Sequence, residues 1–284
     1  MKFNSKEQET AYHRAMKHPF KAVAFDVDGT LTKLAKTHIP HKLSEKLGAL
    51  IGKVPFIICS GRDIDHIKLK VSAICAYRKG AKTGREKYFV ICENGGSGYV
   101  YNCKTSKYKQ IFEVPWPDNI ITLDELSHLL EKKMPWKIIT LPRAHSIVLH
   151  FPAFFYIVPI LIRHLSALLA LSLRRILKKE GLDNYFNVED SGIGAIIIPK
   201  QSGKGKAIKI LSTLLKIPLR DFLVVGDMPE LGKNDCEFLS GKYGTAFTVG
   251  KQTHNVFPLP VYNEHGKKLS GPEGTYCLLK NIVI

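Results

Sequence analysis

Phe25-Asp26-Val27-Asp28-Gly29-Thr30-Leu31-Thr32 is the stretch on which the fold of this 284-residue chain turns. Residues 22–25 are apolar, the pattern of a short strand covered on both faces of a parallel sheet. Two carboxylates one residue apart then stand at that strand's carboxyl end, where open α/β sheets bind ligands. A carboxylate so placed can attack phosphorus and split one hard displacement into two easier ones. A second can protonate the leaving oxygen and later take a proton from water. Gly29 permits the sharp turn. The plain alternative is an acidic surface turn, for which Asp-Gly is a common pair.

Four further short apolar runs, at 55–59, 88–92, 221–226 and 245–249, have the same buried-strand character. Helical spacing lies between them at 44–51 and 204–215. Strands alternating with helices predict an α/β fold with a three-layer, Rossmann-like parallel-sheet core. The middle of the chain differs. Thr122-Leu123-Asp124-Glu125 is a capping box that opens a helix to about 133. Strands are expected at 136–140 and 146–151, a long helix over 155–180 ending in Lys178, Lys179 and Gly181, and a strand at 193–198. The expected organisation is a catalytic core of residues 1–102 plus 196–284, with an inserted α+β cap domain at 103–195.

Three later stations complement Asp26 and Asp28. Ser60-Gly61-Arg62 follows the second strand, where a hydroxyl and backbone N–H groups could hold a phosphoryl oxygen; an ordinary strand-to-helix turn reads the same way. Lys204 opens a helix in Ser202-Gly203-Lys204-Gly205-Lys206-Ala207, and an ammonium and a helix N-terminus both favour anions. The spacing is not that of a Walker P-loop, and a solvated lysine in a glycine turn is the alternative. Gly226-Asp227 ends a strand, with Asn234-Asp235 following. Clustered carboxylates repel one another and an incoming phosphate, and Mg²⁺, which favours a few carboxylates, waters and phosphate oxygens, resolves this.

Together D-V-D-G-T, S-G-R, the lysine of G-K-G-K-A and the late G-D…N-D resemble the haloacid dehalogenase-like superfamily, and the long insert resembles its subclass with a large α+β cap. Glu93-Asn94-Gly95-Gly96 and Gly271-Pro272-Glu273-Gly274-Thr275 are similar to segments of that subclass. The resemblance implies a Mg²⁺-dependent phosphatase with Asp26 as nucleophile and Asp28 as general acid/base that also offers a backbone carbonyl to the metal. Ser60 and Lys204 would hold phosphoryl oxygens, Asp26 and Asp227 would be side-chain metal ligands, and Asn234 and Asp235 would be metal ligands or support them. Many relatives place N-D three or four residues after the aspartate of G-D, whereas Met228-Pro229-Glu230-Leu231-Gly232-Lys233 intervenes here. A similar stretch occurs in eukaryotic-type phosphomannomutases, so a phosphomutase is the alternative activity, while Ser60-Gly61-Arg62 is more like the phosphatases.

In capped relatives the insert sets specificity. The substrate-contact candidates are Arg62, Asn94, Arg143 and Ser191, in a small phosphorylated metabolite such as a sugar phosphate or a phosphoglycolate-like acid. Arg143 could clasp an anion bidentately or be a solvated loop arginine. His145 and His150 lack partners at metal-ligand spacing and read as structural. Phe154-Phe155-Tyr156 reads as core.

The formal net charge of +17 suits acidic partners but does not choose among them. A non-enzymatic nucleic-acid-binding protein is a third reading, disfavoured by the dispersed basic residues and the lack of a zinc finger or basic zipper. The run 146–173 is interrupted by Pro152, Pro159, Arg163 and His164, so no membrane span is expected, and residues 1–21 carry no signal-like apolar stretch. None of the six cysteines forms a C-x-x-C pair, and all are expected reduced, which points to the cytoplasm. Oligomeric state is not legible.

Overall fold

The computed structural model describes residues 1–33, 38–77, 87–152 and 159–284. Phe154, Phe155 and Tyr156 lie outside them. An N-terminal helix, α1 (Lys6–Lys17), is capped by the Ser5 hydroxyl. Then come β1 (Ala22–Asp26), α2 (His41–Gly48), β2 (Phe56–Cys59), α3 (Ile64–Cys75), β3 (Tyr88–Cys92), β4 (Ser97–Asn102) and β5 (Lys107–Glu113). The middle holds α4 (Leu123–Lys133), β6 (Ile139–Pro142), β7 (Ile147–His150), α5 (Pro159–Lys179), β8 (Phe186–Asp190) and β9 (Ala195–Pro199). The chain closes with α6 (Lys204–Leu215), β10 (Phe222–Gly226), β11 (Thr245–Thr248), β12 (Leu259–Pro260) and α7 (Gly271–Asn281).

Eight strands form one sheet in the order β12-β11-β10-β1-β2-β3-β4-β5. It is parallel from β12 to β3, and β4 and β5 extend it as an antiparallel hairpin. This is the expected α/β architecture. β1 lies at its centre, buried throughout, because Ala22, Val23, Ala24 and Phe25 face apolar clusters on both sides. The functional stations β1, β2 and β10 are neighbours, so their carboxyl ends share one edge.

The second sheet is antiparallel, in the order β6-β7-β9-β8. Ile147, Leu149, Val188, Ala195 and Ile197 on one face pack with Leu126, Leu130, Leu169 and Leu173 of α4 and α5 into a separate core. The sheet boundaries differ from the expected 103 and 195: β5 still pairs with β4 in the large sheet, and β9 belongs to the small one. Charged residues on the half-exposed β5 masked its strand pattern, and β8, which alternates buried with half-buried residues, was equally hidden.

Cys75 and Cys103 form a disulfide with Cα atoms 5.7 Å apart, which corrects the expectation of six reduced thiols and removes the ground for a cytoplasmic location. The fold brings the end of α3 beside the end of β4, a proximity that cysteine spacing does not encode. Among the described residues no helix is long and apolar enough to cross a membrane.

Leu173 is fully buried in the second core, whereas Leu161 on the same helix is 45% exposed. Leu173→Ala is expected to cost about 2–5 kcal/mol in chemical denaturation, and Leu161→Ala under about 0.5 kcal/mol. Equal effects would contradict this packing.

Candidate active site

The site is built on the buried ammonium of Lys204. Its Nζ donates to Asp26 Oδ1 and to Asp235 Oδ1, both at 2.6 Å. All three side chains are almost wholly inaccessible, with relative exposures of 0% for Lys204, 5% for Asp26 and 0% for Asp235. Gly203, at φ +147°, precedes α6 and delivers Lys204 to its first turn. Burial opposes the ammonium charge, but Asp235 and Asp26 outweigh it and hold the Lys204 pKa well above the ordinary value.

Asp235 also anchors the loop after β10. Its Oδ2 accepts from the backbone N–H of Asp227 at 3.1 Å and of Met228 at 3.3 Å. The stretched spacing therefore still returns Asp235 beside Asp227. Of the intervening residues Leu231 is 96% exposed, while Pro229 is buried. Asp26, Asp227 and Asp235 each present an oxygen within 4.8 Å of the others. Asp26 Oδ2 is buried without a hydrogen-bond partner among the described residues, as is Asn234 Oδ1. Burial, and then the neighbouring carboxylates Asp26 and Asp235, push Asp227 up to about 9; burial and Asp235 push Asp26 up to about 7, against the pull of Lys204. Three acidic oxygens in one pocket, one without a donor, fit a hard divalent cation such as Mg²⁺, whose charge would offset their repulsion.

Gly29 lets this cluster form. It sits at φ +92°, and a Cβ there would lie 2.2 Å from Asp227 Oδ2. The turn is pinned from the other side by Thr275 of α7, whose hydroxyl donates to the Thr30 carbonyl at 2.8 Å. That contact accounts for the Gly271–Thr275 segment singled out in the sequence.

Asp28 takes a different environment. Arg62 Nε donates to Oδ2 and Lys70 Nζ to Oδ1, each at 2.9 Å. Burial raises its pKa, but Lys70 and Arg62 together overcome that and hold the carboxyl below its usual range. Lys70 lies on α3 in a helical pattern with no motif around it, and sequence reasoning missed it. Ser60 is buried at the end of β2, and its Oγ accepts from the Arg62 N–H at 3.1 Å.

The remaining candidates lie between the two sheets. Arg143 Nη1 donates to the Gly61 carbonyl at 2.9 Å, and its Nε is 3.6 Å from Asp63. It ties the β6–β7 loop to the β2 loop. Ser191 Oγ donates to the Gly194 carbonyl at 3.0 Å within the β8–β9 turn. Asn94, in the turn after β3, donates from Nδ2 to Glu189 Oε2 at 2.8 Å. Glu93 accepts from the His145 N–H at 3.0 Å and from the Ser146 hydroxyl at 2.7 Å, so the histidine's ring is not what meets the core carboxylate. The stretched loop is a further tie: Lys233 Nζ is 2.5 Å from Asp190 Oδ2, and the Asp190 N–H donates to the Gly232 carbonyl at 2.9 Å.

The IMP-bound, N-terminally truncated IMP-nucleotidase of Plasmodium falciparum superposes with a TM-score of 0.65 at 13% identity, over 97% of this chain and 70% of that one. SMU.1108c of Streptococcus mutans gives 0.58 at 19% identity, over 84% and 90%. A haloacid dehalogenase-like hydrolase of Bacteroides thetaiotaomicron gives 0.51 at 15%, over 73% and 82%. This chain has the haloacid dehalogenase-like fold. No family model and no curated protein matches its sequence.

Breaking a buried ion pair leaves an uncompensated charge and costs roughly 3–5 kcal/mol. Asp235→Ala, which also deprives two backbone N–H groups of their acceptor, is expected to destabilise the chain by at least about 3 kcal/mol in urea unfolding. A loss under about 1 kcal/mol would show that Lys204 is not confined as described.

Proposed function

We propose that this protein is a divalent-cation-dependent phosphomonoesterase acting on a small phosphorylated metabolite, with Asp26 as nucleophile. The observation that carries this reading is the partner-free Oδ2 of Asp26, buried beside Asp227 and Asp235 while Lys204 holds Oδ1. The neighbours' printed descriptions, a nucleotidase and a hydrolase, support the same class.

In this account one oxygen of the Asp26 carboxylate attacks phosphorus, the bond to the ester oxygen breaks, and an aspartyl-phosphate forms. Asp28 supplies the proton to the departing alkoxide. In the free site Asp28 is ionised and paired with Arg62 and Lys70. Phosphoryl oxygens compete for those two cations, which loosens their hold on Asp28 and lets it take up a proton from solvent water before the alkoxide departs. Asp28 then takes a proton from water as that water attacks phosphorus, releasing phosphate and restoring Asp26. The Ser60 hydroxyl and Lys204 stabilise charge on the transferring group. Asp26 and Asp227, with the Asp28 carbonyl, would hold Mg²⁺, which supplies charge neutralisation at the phosphoryl oxygens. Asp235 holds Lys204 and the Asp227 loop in place. The four-stranded sheet with its two helices acts as the cap.

Phosphate release from metabolite esters is expected only with Mg²⁺, to be abolished by chelation, and to fall by at least about a thousandfold in Asp26→Asn, the scale on which a covalent nucleophile acts. Full turnover by that variant would refute the assignment. With a hexose 1-phosphate, free phosphate is expected; appearance of the 6-phosphate in its place would favour a mutase.

A further inference from the structure

α5 is the longest described helix, and only its inner face is accounted for by the fold. Ile162, Leu169, Leu173 and Leu177 are buried in the second core. Leu161, Leu168 and Leu171 look the other way and are 45%, 51% and 41% exposed. Their spacing of seven and three residues puts them on one side of the helix. Single exposed leucines are ordinary on a protein surface. Three together, within about 15 Å along one helix axis, form a patch that suits a binding partner.

The charge of this helix is one-sided. Residues 159–179 contain no Asp or Glu. Arg175, Lys178 and Lys179 follow the leucines at helical spacing and are exposed. The next acid in the chain, Glu180, is held by Lys133 of α4 at 2.5 Å. Of the carboxylates on the neighbouring α4, Glu125 closes its own capping box and Glu131 accepts from the Thr140 hydroxyl. The outer face of α5 therefore runs from leucines in its earlier turns to cations in its last.

Leucines beside cations on an unpartnered helix face match a surface that is anionic outside and hydrocarbon beneath. The same face of a second copy would set cations against cations. A polynucleotide would answer the cations and leave the leucines in water. Among the described residues no helix is long and apolar enough to cross a membrane, so α5 lies along such a surface and does not span it. The candidate active site is on the other side of the small sheet: a Cβ on Gly61 would lie 3.2 Å from Ile196 Cδ1, whereas Ala195 and Ile197 pack toward α4 and α5.

We propose that the outer face of α5 docks this protein on an anionic phospholipid membrane. Leu161, Leu168 and Leu171 enter the boundary between headgroups and acyl chains, and Arg175, Lys178 and Lys179 meet lipid phosphates. This surface is separate from the catalytic reading and does not depend on it.

The test is co-sedimentation of the full chain with vesicles of phosphatidylcholine, alone or with about a third phosphatidylserine. The mixed vesicles are expected to bind at least about tenfold more tightly in about 0.1 M salt, and to lose that advantage at about 0.5 M, where exposed charges are screened. The double variants Leu161→Ser with Leu168→Ser, and Arg175→Glu with Lys179→Glu, should each weaken binding to mixed vesicles at least about tenfold. Lys42→Glu with Lys209→Glu makes the same change of net charge on α2 and α6 and should weaken it less than about threefold. All of these side chains are exposed, so the variants are expected to fold as the parent does. The proposal is overturned if neither vesicle binds, if the two bind alike, or if the leucine variant binds as the parent does. It is equally overturned if the α2 and α6 changes weaken binding as much as those on α5, which would reduce the effect to bulk charge. Without vesicle binding, poly(U) binding lost only in the α5 charge variant would assign the face to nucleic acid, and self-association lost in the leucine variant would assign it to a second copy.

Discussion

One buried ammonium organises this protein. Lys204 has no access to solvent and pairs with two carboxylates, one at the end of β1 and one in the turns after β10. An ammonium so placed is tolerable only with carboxylate partners held close beside it. That requirement fixes α6 against the ends of β1 and β10 and holds Asp235 under the Asp227 loop. It also leaves the site short of positive charge. Three carboxylates share one cation, and Asp26 Oδ2 is left without a donor among the described residues. The same imbalance that would destabilise a purely structural cluster prepares the site for a divalent metal and a phosphoryl group.

The core was largely legible because its signals are local. Buried parallel strands read as short apolar runs, and Asp26, Asp28, Ser60 and Asp227 each lie at or just past the end of one. Lys204 was legible from the glycines before its helix. The unread features are those that depend on distant pairing. Lys70 sits on an amphipathic helix and is marked only by its contact with Asp28. Glu189 lies on a short strand, and its bond to Asn94 depends on which face of the sheet meets the core. The hairpin β4–β5 escaped notice because its outer strand is polar, and the cysteine pairing because its partners are 28 residues apart. Arg143 and Ser191 were picked out by residue type, and the structure places one Arg143 N–H and the Ser191 hydroxyl on backbone carbonyls.

The stretched segment between Asp227 and Asn234 has a physical place in this arrangement. Its start is fixed by Asp235, and its far end reaches the small sheet through Gly232 and Lys233. Arg174 of α5 reinforces the junction by donating to both Val188 and Gly232 carbonyls. A loop that carries a carboxylate of the candidate metal site is thus bridged to β8 at Asp190. Displacing either sheet would strain the other's polar contacts, so the position of the four-stranded sheet and the geometry of the carboxylate cluster are coupled by direct bonds.

The central claim is that Asp26 and Asp227 would hold a divalent cation, in a cluster kept in place by the Lys204–Asp235 pair. Calorimetric titration of the full chain with Mg²⁺ tests it most directly. The account predicts one saturable site, with affinity lost in Asp227→Asn and protons released on binding near neutral pH as the raised carboxyls ionise. Absence of saturable binding, or binding that Asp227→Asn leaves intact, would contradict it.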